Sequence, residues 1–486
     1  LEESEIHMED VKKVKEIVKK INKSYYEISD KIWENPEVGL EEEKSLIILK
    51  DFLEKNGFTV KTGLAGLSTS FVAEYGSGKP VIGFTAEYDA LPGLSQEAYQ
   101  NKKVPVRENN PGHGCGHNLL GVGSIGAALV LKEYVDSKNL SCTIKVFGTP
   151  SEERDAGKAF MGREGVFDGV DCGFTWHPHY VNSVWESGSL ANTIVTFKFK
   201  GKSSHAAASP ELGRSALDAC ELMNVGVNYL REHVPSDVRI HYAYLDVGGH
   251  APNVVQDHAA IYYFIRASKM KDSTDTYERV KKIAQGAALM TETELEIIFD
   301  SAVSDFVPNP TLTKAMEEAM LDLGEVKYSD EEIEMAKSFV NTLGQNEING
   351  AENLISRFLD KKQVENIKKR SLVSEYIKFG KDSPMASGST DVGDFSNCAP
   401  VAQCLIATSA FATPLHSWQM VSQGKSSYAK KGLDKAVSTL ALTAIRVLNN
   451  PDLVKKARKE YIEQTGGKYI APIPKDVNVR DVNLYK

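Results

Sequence analysis

The chain of 486 residues is poor in cysteine, in basic runs and in long apolar stretches. Its six cysteines are too few and too irregularly spaced for a disulfide framework, and the start lacks the order of a secretory signal, so we expect a reducing, cytoplasmic setting. A net charge of −9 without a basic run argues against nucleic acid or an anionic membrane as the main partner. No stretch reaches the roughly 20 apolar residues of a membrane helix. The sequence therefore predicts a protein that binds a small molecule.

The length of the chain predicts two domains, because one hydrophobic core does not extend over so many residues. Strands alternate with helices over residues 8–190, and helices with one further strand follow over 306–486. Together they predict one α/β domain, which we expect to be the catalytic domain, with a mostly parallel central sheet flanked by helices. Between them, residues 191–305 follow the order β-α-β-β-α-β of an inserted ferredoxin-like α+β domain. We expect hinges near residues 190 and 305 that let this insert act as a lid.

Four apolar runs predict buried strands of the first domain: STSFVAEY, PVIGFTAEYD, CTIKVFGTP and DCGFTW. A helix lies between the second and third runs, and its small residues Gly123, Gly126 and Ala127 would let it pack closely on the sheet. Several titratable residues follow these strands: Glu87, Asp89, Glu152, Glu153, His177 and His179. Because ligands of α/β sheets bind beyond the carboxyl ends of the strands, we expect these residues to converge on one rim.

Residues 111–117, PGHGCGH, place one thiol and two imidazoles between glycines just before that helix. Cys115 and His117 alternate along an irregular loop, and thiolate and imidazole both bind borderline divalent metals. The surrounding glycines favour a ligand loop, because they allow close backbone approach and positive φ. A structural cysteine beside a capping histidine explains the spacing about as well. A catalytic pair, with Cys115 as nucleophile and His117 as base, is a further alternative.

Adjacent acids such as Glu152 and Glu153 usually form a solvated loop. In a metal site, however, one of them binds the metal while the other carries a proton from the attacking water to the leaving nitrogen. The candidate ligands are Cys115, His117, Glu153, His177 and His416. This set is large enough for two divalent ions roughly 3.5 to 4 Å apart, as in two-metal hydrolases. The thiolate favours zinc, whereas the nitrogen and oxygen ligands also accept manganese or cobalt.

The inserted segment contributes polar residues of its own. His205 lies in the small-residue loop GKSSHAAASP, Asn253 follows a predicted strand, and Arg266 lies on the next one. Arginine is well shaped for bidentate binding of a carboxylate, and asparagine adds a hydrogen bond, so a substrate with a free carboxylate would suit them. A surface arginine and a turn asparagine explain the same pattern equally well.

Six motifs in a fixed order resemble a family of dinuclear metal-dependent amidohydrolases and peptidases, which includes carboxypeptidase G, hippurate hydrolase, aminoacylases and auxin-conjugate hydrolases. The motifs are AEYDALPG, GHGCGHNLLG, TPSEE, HPH, GKSSHAAASP with GGHAPNVV, and LHS. They extend over nearly the whole chain. The Cys-x-His form with Asn118, together with GSTDVGDFS, is most similar to the branch that hydrolyses p-aminobenzoyl-glutamate.

The resemblance implies roles for the candidate residues. The five candidate ligands would hold two divalent ions, Mn²⁺ or Zn²⁺, and Glu152 would act as general acid/base. His205 would reach the site of the neighbouring subunit in a homodimer built through the inserted domain and polarise the scissile carbonyl there. Asn253 and Arg266 would hold the substrate carboxylate. His113 and His179 are interpreted as supporting residues.

The implied activity is hydrolysis of the amide bond of an N-acyl amino acid by water that the metals activate. The expected substrate is p-aminobenzoyl-glutamate or a similar aroyl- or acyl-glutamate. Alternatives within the family are a dipeptidase and an N-acyl amino acid deacylase. A further alternative is a non-catalytic subunit, since the relatives of this branch work with a related partner chain.

Overall fold

The computed structural model describes residues 2–382 and 388–479. The α-helices of these residues are α1 (Glu2–Glu34), α2 (Glu43–Lys55), α3 (His117–Lys138), α4 (Gly157–Arg163), α5 (Ala216–Leu230), α6 (Met270–Thr291), α7 (Pro310–Asp322), α8 (Asp330–Val340), α9 (Gln345–Ile355), α10 (Lys361–Arg370), α11 (Val392–Cys398), α12 (Trp418–Gln423), α13 (Ser427–Asn449) and α14 (Pro451–Thr465). The strands are β1 (Thr59–Thr62), β2 (Phe71–Ser77), β3 (Val81–Ala86), β4 (Cys142–Gly148), β5 (Cys172–His179), β6 (Ser183–Val184), β7 (Ala191–Lys200), β8 (Arg239–Asp246), β9 (His258–Ala267), β10 (Glu294–Val303) and β11 (Val401–Ala407).

The larger sheet has seven strands in the order β1-β2-β4-β3-β5-β11-β6. Its four central strands, β4, β3, β5 and β11, are parallel, whereas the pairs toward both edges are antiparallel. The predicted α/β sheet with flanking helices is confirmed, and its parallel part is the central four strands. The edge strands β1 and β6 were not predicted because they have only four and two residues. The carboxyl ends of the parallel strands open on one edge of the sheet.

Helices cover both faces of this sheet, because successive side chains of each strand point to opposite faces. Val146 of β4 belongs to the apolar core under α1, α3 and α13, whereas the next residue, Phe147, belongs to the core that includes residues of α4, α9 and α11. In β11, Cys404 and Leu405 divide between the two cores in the same way. Such two-sided burial explains why the central strands read as continuous apolar runs.

Helix α3 runs through the first of these cores, and glycines set its distance from its neighbours. A Cβ atom at Gly123 would lie 2.5 Å from the indole nitrogen of Trp176 in β5, so this glycine allows close packing on the sheet as predicted. Gly126 instead faces Val437 of α13, at 2.7 Å, so it allows contact between helices.

The expectation that no segment reaches membrane-spanning length is wrong for α3. Among the described helices it alone is long and apolar enough to cross a membrane, by length and composition. Its most apolar window is 89% buried inside the protein, as in the core helix of a soluble protein.

The smaller sheet is entirely antiparallel, with the order β10-β7-β9-β8. Along the chain its elements follow the predicted order β7-α5-β8-β9-α6-β10. Helices α5 and α6 cover the face that carries Phe197 and Tyr263, so by strand alternation Arg266 lies on the opposite face. The edge strand β8 is largely exposed. The boundaries of this unit as a domain and its action as a lid stay predictions.

Candidate metal centre

The candidate residues lie on the rim formed by the carboxyl ends of the parallel strands. Glu87 and Asp89 follow β3, Glu152 and Glu153 follow β4, and His177 lies near the end of β5. His416 lies in the loop after β11, and Cys115 and His117 stand at the start of α3. Residues from five segments of the sequence thus meet at one edge of the sheet, as the strand pattern predicts.

Three groups of three side chains have ligand atoms that all lie within 4.8 Å of one another. These groups are Cys115 with His117 and His177, Cys115 with Glu153 and His416, and Glu87 with His117 and Glu152. Cys115 belongs to two groups and His117 also belongs to two, so the groups merge into a single cluster. All five ligands predicted from the sequence are in it, and a merged cluster of this kind suits two neighbouring ions.

Two histidines of the cluster present a ligand atom to it. His117 Nδ1 lies 2.8 Å from Asp89 Oδ1, and His177 Nδ1 lies 2.7 Å from the carbonyl oxygen of Pro178. Because carboxylate and carbonyl oxygens accept hydrogen bonds, both Nδ1 atoms donate, so each ring would bind a metal through its Nε2 atom. His177 Nε2 lies 3.3 Å from Cys115 Sγ. Histidines that bind metals commonly donate their second ring N–H to a carboxylate or carbonyl oxygen in this way.

The cluster also contains buried atoms without a hydrogen-bond partner. His117 Nε2 and Glu153 Oε1 are both in this state, and they lie 3.8 Å apart. Buried polar atoms are nearly always partnered in folded proteins. A divalent cation accepts lone pairs from both, and the sulfur, nitrogen and oxygen donors around them match zinc or manganese. The residues therefore fit a dinuclear metal group.

Asp89 connects two of the candidate ligands. Besides its contact with His117, its Oδ2 atom accepts a hydrogen bond of 2.9 Å from the backbone nitrogen of Glu153. Although burial lowers the pKa of His117, the charge of Asp89 raises it above its ordinary value, so a metal ion at Nε2 would replace a proton. The strand pattern predicts Asp89 on the rim but does not predict this role. Its signal was an acid in AEYD directly after a buried strand.

Lys158 is a buried cation beside the cluster that the sequence does not predict. Its Nζ atom lies 2.6 Å from Glu87 Oε1 and 2.5 Å from Asp391 Oδ1, and none of its side chain is exposed. Burial raises the pKa of Glu87, but the charges of Lys158 and His117 lower it below its ordinary value. For Asp391 burial prevails over Lys158 and raises the pKa to about 6. Lysine in a short helix gives no sequence signal, because most lysines are solvated.

Glu152 lies in the same cluster and accepts a hydrogen bond from a hydroxyl group. The Thr390 hydroxyl donates a hydrogen bond of 2.8 Å to Glu152 Oε1. Burial, followed by the charges of Glu87 and Glu153, raises the pKa of Glu152 well above its ordinary value. A carboxyl group in that state can both accept and return a proton. The geometry is compatible with the predicted acid/base role, which stays a prediction.

The loops that carry Cys115 and His416 are joined by their backbones. The His416 nitrogen donates to the Gly114 carbonyl at 2.8 Å, and His416 Nε2 lies 3.3 Å from Glu153 Oε2. His416 has φ of 58° and Gly116 has φ of 76°. Left-handed backbone at a residue other than glycine is strained and is typical of functional sites. Of the three glycines in the loop, Gly116 alone has positive φ, while the others allow close approach.

The three residues predicted on the inserted segment lie outside the cluster. His205 is exposed, and its Nδ1 atom accepts hydrogen bonds from the backbone of its own loop, at 3.2 and 3.1 Å. Asn253 is also exposed and lies beside it, since its carbonyl accepts from the Ala206 nitrogen at 2.9 Å. Arg266 differs, because its Nη1 atom donates to Ser389 Oγ at 2.7 Å. Ser389 lies outside the smaller sheet, shortly before α11.

Two further histidines of the sequence motifs, His113 and His179, are buried outside the ligand groups. His113 Nε2 lies 3.2 Å from the Ile32 carbonyl oxygen, and the His179 ring packs on Tyr180. Burial lowers the pKa of each to about 3, so both are neutral packing residues at ordinary pH. These contacts agree with their interpretation as supporting residues.

Comparison with known proteins identifies relatives along most of the chain. A family model described as peptidase family M20/M25/M40 matches residues 83–363. The chain is 42% identical over 457 residues to one of the subunits of p-aminobenzoyl-glutamate hydrolase from Escherichia coli (strain K12), and the alignment covers 93% of this chain and 95% of that protein. It is 28% identical over 451 residues to Xaa-Arg dipeptidase of Mus musculus, with 89% of this chain and 88% of that protein covered.

Solved structures share the fold. A dinuclear metal-binding peptidase of the M20 family from Bacillus subtilis aligns with a TM-score of 0.56 and 17% sequence identity. The alignment covers 89% of this chain and 99% of that one. At this identity the similarity demonstrates a common fold along most of the chain.

Proposed function

Because the chain belongs to peptidase family M20/M25/M40, we propose that it hydrolyses the amide bond of an N-acyl amino acid, with p-aminobenzoyl-glutamate or a similar acyl-glutamate as substrate. Family membership confirms the predicted class, a metal-dependent amide hydrolase. The observation that carries the proposal is the merged ligand cluster, which includes all five predicted ligands and Glu152. The substrate rests on the relative from Escherichia coli, which is named for p-aminobenzoyl-glutamate.

In this proposal the five cluster ligands would hold two divalent ions. Such ions, when bound, polarise a carbonyl group and make water a stronger acid. Glu152 takes the proton from the attacking water and returns it to the leaving nitrogen. Its Oε1 atom is held by Thr390, which leaves Oε2 to carry the proton. Asp89 holds His117 and the backbone of Glu153 in place while the proton moves.

The identity of the metals is part of the proposal. Cys115 supplies a soft thiolate that favours zinc, whereas the carboxylate and imidazole ligands also suit manganese. Metal analysis of the purified chain is expected to give about two ions per chain, a stoichiometry that a merged two-ion cluster supports. The cysteines of the chain are free and mostly buried, which supports a cytoplasmic location.

A homodimer through the smaller sheet accounts for the position of His205. The edge strand β8 and the loop after it expose Tyr242, Tyr244, Leu245 and Val247, and a second copy is the occupant we propose for this surface. His205 would then reach the site of the partner subunit and polarise the scissile carbonyl, while Asn253 and Arg266 would hold the substrate carboxylate. Assembly with a related but different chain is the alternative, since the relative from Escherichia coli is named as one subunit of its enzyme.

The test measures hydrolysis by the purified chain loaded with Mn²⁺ or Zn²⁺. The substrate panel contains p-aminobenzoyl-glutamate, other N-acyl amino acids and dipeptides with carboxyl-terminal arginine. We expect the acyl-glutamates to react fastest, and E152Q to lower kcat by about 10² or more while two metals stay bound. Hydrolysis by E152Q at the wild-type rate would contradict the proposed function. Preference for the dipeptides would support the dipeptidase alternative, which the relative from Mus musculus suggests.

The same assay separates the remaining alternatives. An inactive purified chain that becomes active only with a second protein would indicate a non-catalytic subunit. A cysteine nucleophile would tolerate chelators and lose activity on thiol alkylation. Burial, followed by the charge of Glu153, raises the pKa of the Cys115 thiol well above its ordinary value, which disfavours a free thiolate nucleophile.

A further inference from the structure

Residues 388–391, which we call the connector segment, join the two sheets to the metal cluster. Its first two residues contact the smaller sheet and the chain leading into it. The Gly388 carbonyl accepts a hydrogen bond of 2.7 Å from the nitrogen of Leu190, directly before β7. The Ser389 hydroxyl accepts one of 2.7 Å from Arg266 in β9.

The last two residues of the connector segment contact the metal cluster. Thr390 donates to Glu152 Oε1 at 2.8 Å. Asp391 accepts from the nitrogen of Lys158 at 3.0 Å and binds its Nζ atom at 2.5 Å. Four consecutive residues therefore contact the entry to the smaller sheet, Arg266, Glu152 and Lys158 in turn.

The Glu152 side chain needs an external group to fix its direction. It lies among the carboxylates of Glu87 and Glu153, whose negative charges repel its own, and it has three rotatable bonds. Within residues 2–382 and 388–479, the Thr390 hydroxyl gives its one hydrogen bond from a side chain. A hydrogen bond to a charged group contributes more than one between neutral groups.

We propose that Thr390 is the positioning residue of Glu152, and that Ser389 makes this positioning depend on Arg266. The inference rests on the proposed function, because it takes Glu152 as the proton carrier. When Arg266 holds Ser389, the Thr390 hydroxyl donates to Glu152 Oε1, and Glu152 Oε2 faces the reacting atoms. When that contact is lost, Glu152 rotates among its neighbours and transfers the proton less efficiently.

A purely structural role of Thr390 would have a different signature. The Thr390 hydroxyl also accepts a weak hydrogen bond of 3.4 Å from the Val392 nitrogen at the start of α11. If this contact alone mattered, its loss would lower the thermal unfolding temperature and leave kcat unchanged. The experiment therefore measures kcat, KM, metal content and the unfolding temperature of each variant.

The decisive variants are T390V and T390S, assayed in the metal-loaded chain with p-aminobenzoyl-glutamate. T390V removes the hydroxyl at similar volume and is expected to lower kcat about tenfold, with KM within about twofold and metal content unchanged. T390S keeps the hydroxyl and is expected to restore kcat. A crystal structure of T390V is expected to show Glu152 in a new rotamer. Equal kcat in T390V and wild type, or an equal loss in T390S, would overturn the inference.

A matched control and a second variant complete the test. Thr311 donates to Glu460 at 2.7 Å in contact with α14, away from the cluster, so T311V removes the same kind of bond and is expected to keep kcat. S389A is expected to lower kcat a few-fold although Ser389 does not contact Glu152, because Arg266 then loses the connector segment. A change in KM alone would overturn the dependence on Arg266.

Failure of this inference is distinguishable from failure of the proposed function. If the wild-type chain with two metals hydrolyses no member of the substrate panel, the proposed function fails. If the wild type is active, E152Q is inactive and T390V keeps the wild-type kcat, then Thr390 does not position Glu152 and the proposed function stands.

Discussion

The two sheets carry their predicted functional residues in opposite ways. On the rim of the larger sheet, Cys115 and His117 are 6% and 0% exposed. The carboxylates around them either contact a histidine or belong to a group that could bind a metal ion. On the smaller sheet, His205 and Asn253 are exposed, and both bond to the backbone of the loop that carries His205. A buried cluster must be complete within one chain, because unpaired charges are costly to bury. An exposed histidine becomes functional only when another molecule approaches it.

The same contrast extends to the packing of the two units. Helix α3 is almost wholly buried between the larger sheet and the helices α1 and α13. Helix α6 covers one face of the smaller sheet and leaves Leu289 and Met290 exposed. The larger sheet is therefore closely packed near its functional residues, whereas the smaller one tolerates change on its outer side. The following predictions test this difference, beginning with the largest effect.

Loss of the thiol at Cys115 is expected to have the largest effect. Because Cys115 belongs to two of the ligand groups, C115A should reduce bound metal below two ions per chain and lower kcat by about 10³ or more. Metal analysis and hydrolysis of p-aminobenzoyl-glutamate measure both quantities. C142A is the control, since Cys142 is also buried but lies at the start of β4, away from the rim. Two bound ions per chain in C115A would contradict the prediction that metal binding requires the Cys115 thiol.

Removal of the imidazole at His205 is expected to have the second largest effect on kcat. If His205 polarises the carbonyl in the partner subunit, H205A should lower kcat by about 10² with the metals still bound. Mixing H205A with E152Q should restore about a quarter of the wild-type activity, because half of the dimers are mixed and each has one complete site.

The outcome for H205A decides whether the second sheet needs a partner. Wild-type activity in H205A would show that the rim is sufficient by itself. Loss of activity without recovery in the mixture would place His205 in the site of its own chain, after a movement of the smaller sheet. Sedimentation of the wild-type chain gives the oligomeric state independently.

Overpacking of α3 is expected to destabilise the larger sheet. A methyl group at Gly123 would lie 2.5 Å from Trp176 Nε1, and the buried indole is fixed by its hydrogen bond of 3.0 Å to the Leu120 carbonyl. G123A should therefore lower the free energy of unfolding by about 1–3 kcal/mol. It should also weaken metal binding, because Trp176 directly precedes His177 in β5. Urea unfolding and metal titration measure the two effects, and unchanged values would contradict the close packing of the rim.

The parts of the site that sequence could predict are those with local signals. Cys115 and His117 stand in a glycine-rich loop before a helix, and Glu152 and Glu153 follow a buried strand, so pattern and motif order identify them. Lys158 and Thr390 could not be found in this way. Their partners, Asp391 and Glu152, lie 233 and 238 residues away in sequence, and only the folded chain brings them together.

The fold has the same division between local and distant information. The central strands and the elements of the smaller sheet follow from their apolar patterns, because burial on one or both faces leaves a clear period. The antiparallel edges depend on pairing with β2 and β11, and the short β6 has too few residues to show any period. The contact of Gly126 with α13 likewise depends on a helix more than 300 residues later in the chain.

The smallest predicted effect has the opposite sign and lies on the smaller sheet. Gly286 is in the interior of α6, and a Cβ atom there would meet no atom within 4 Å. Alanine costs less backbone entropy than glycine in a helix, so G286A should raise the free energy of unfolding by about 0.5–1 kcal/mol and leave hydrolysis unchanged. Calorimetry and hydrogen exchange of the α6 amides measure the change. Destabilisation by G286A would mean that another molecule covers the outer surface of α6 in solution. The interface proposed at β8 would then extend to α6.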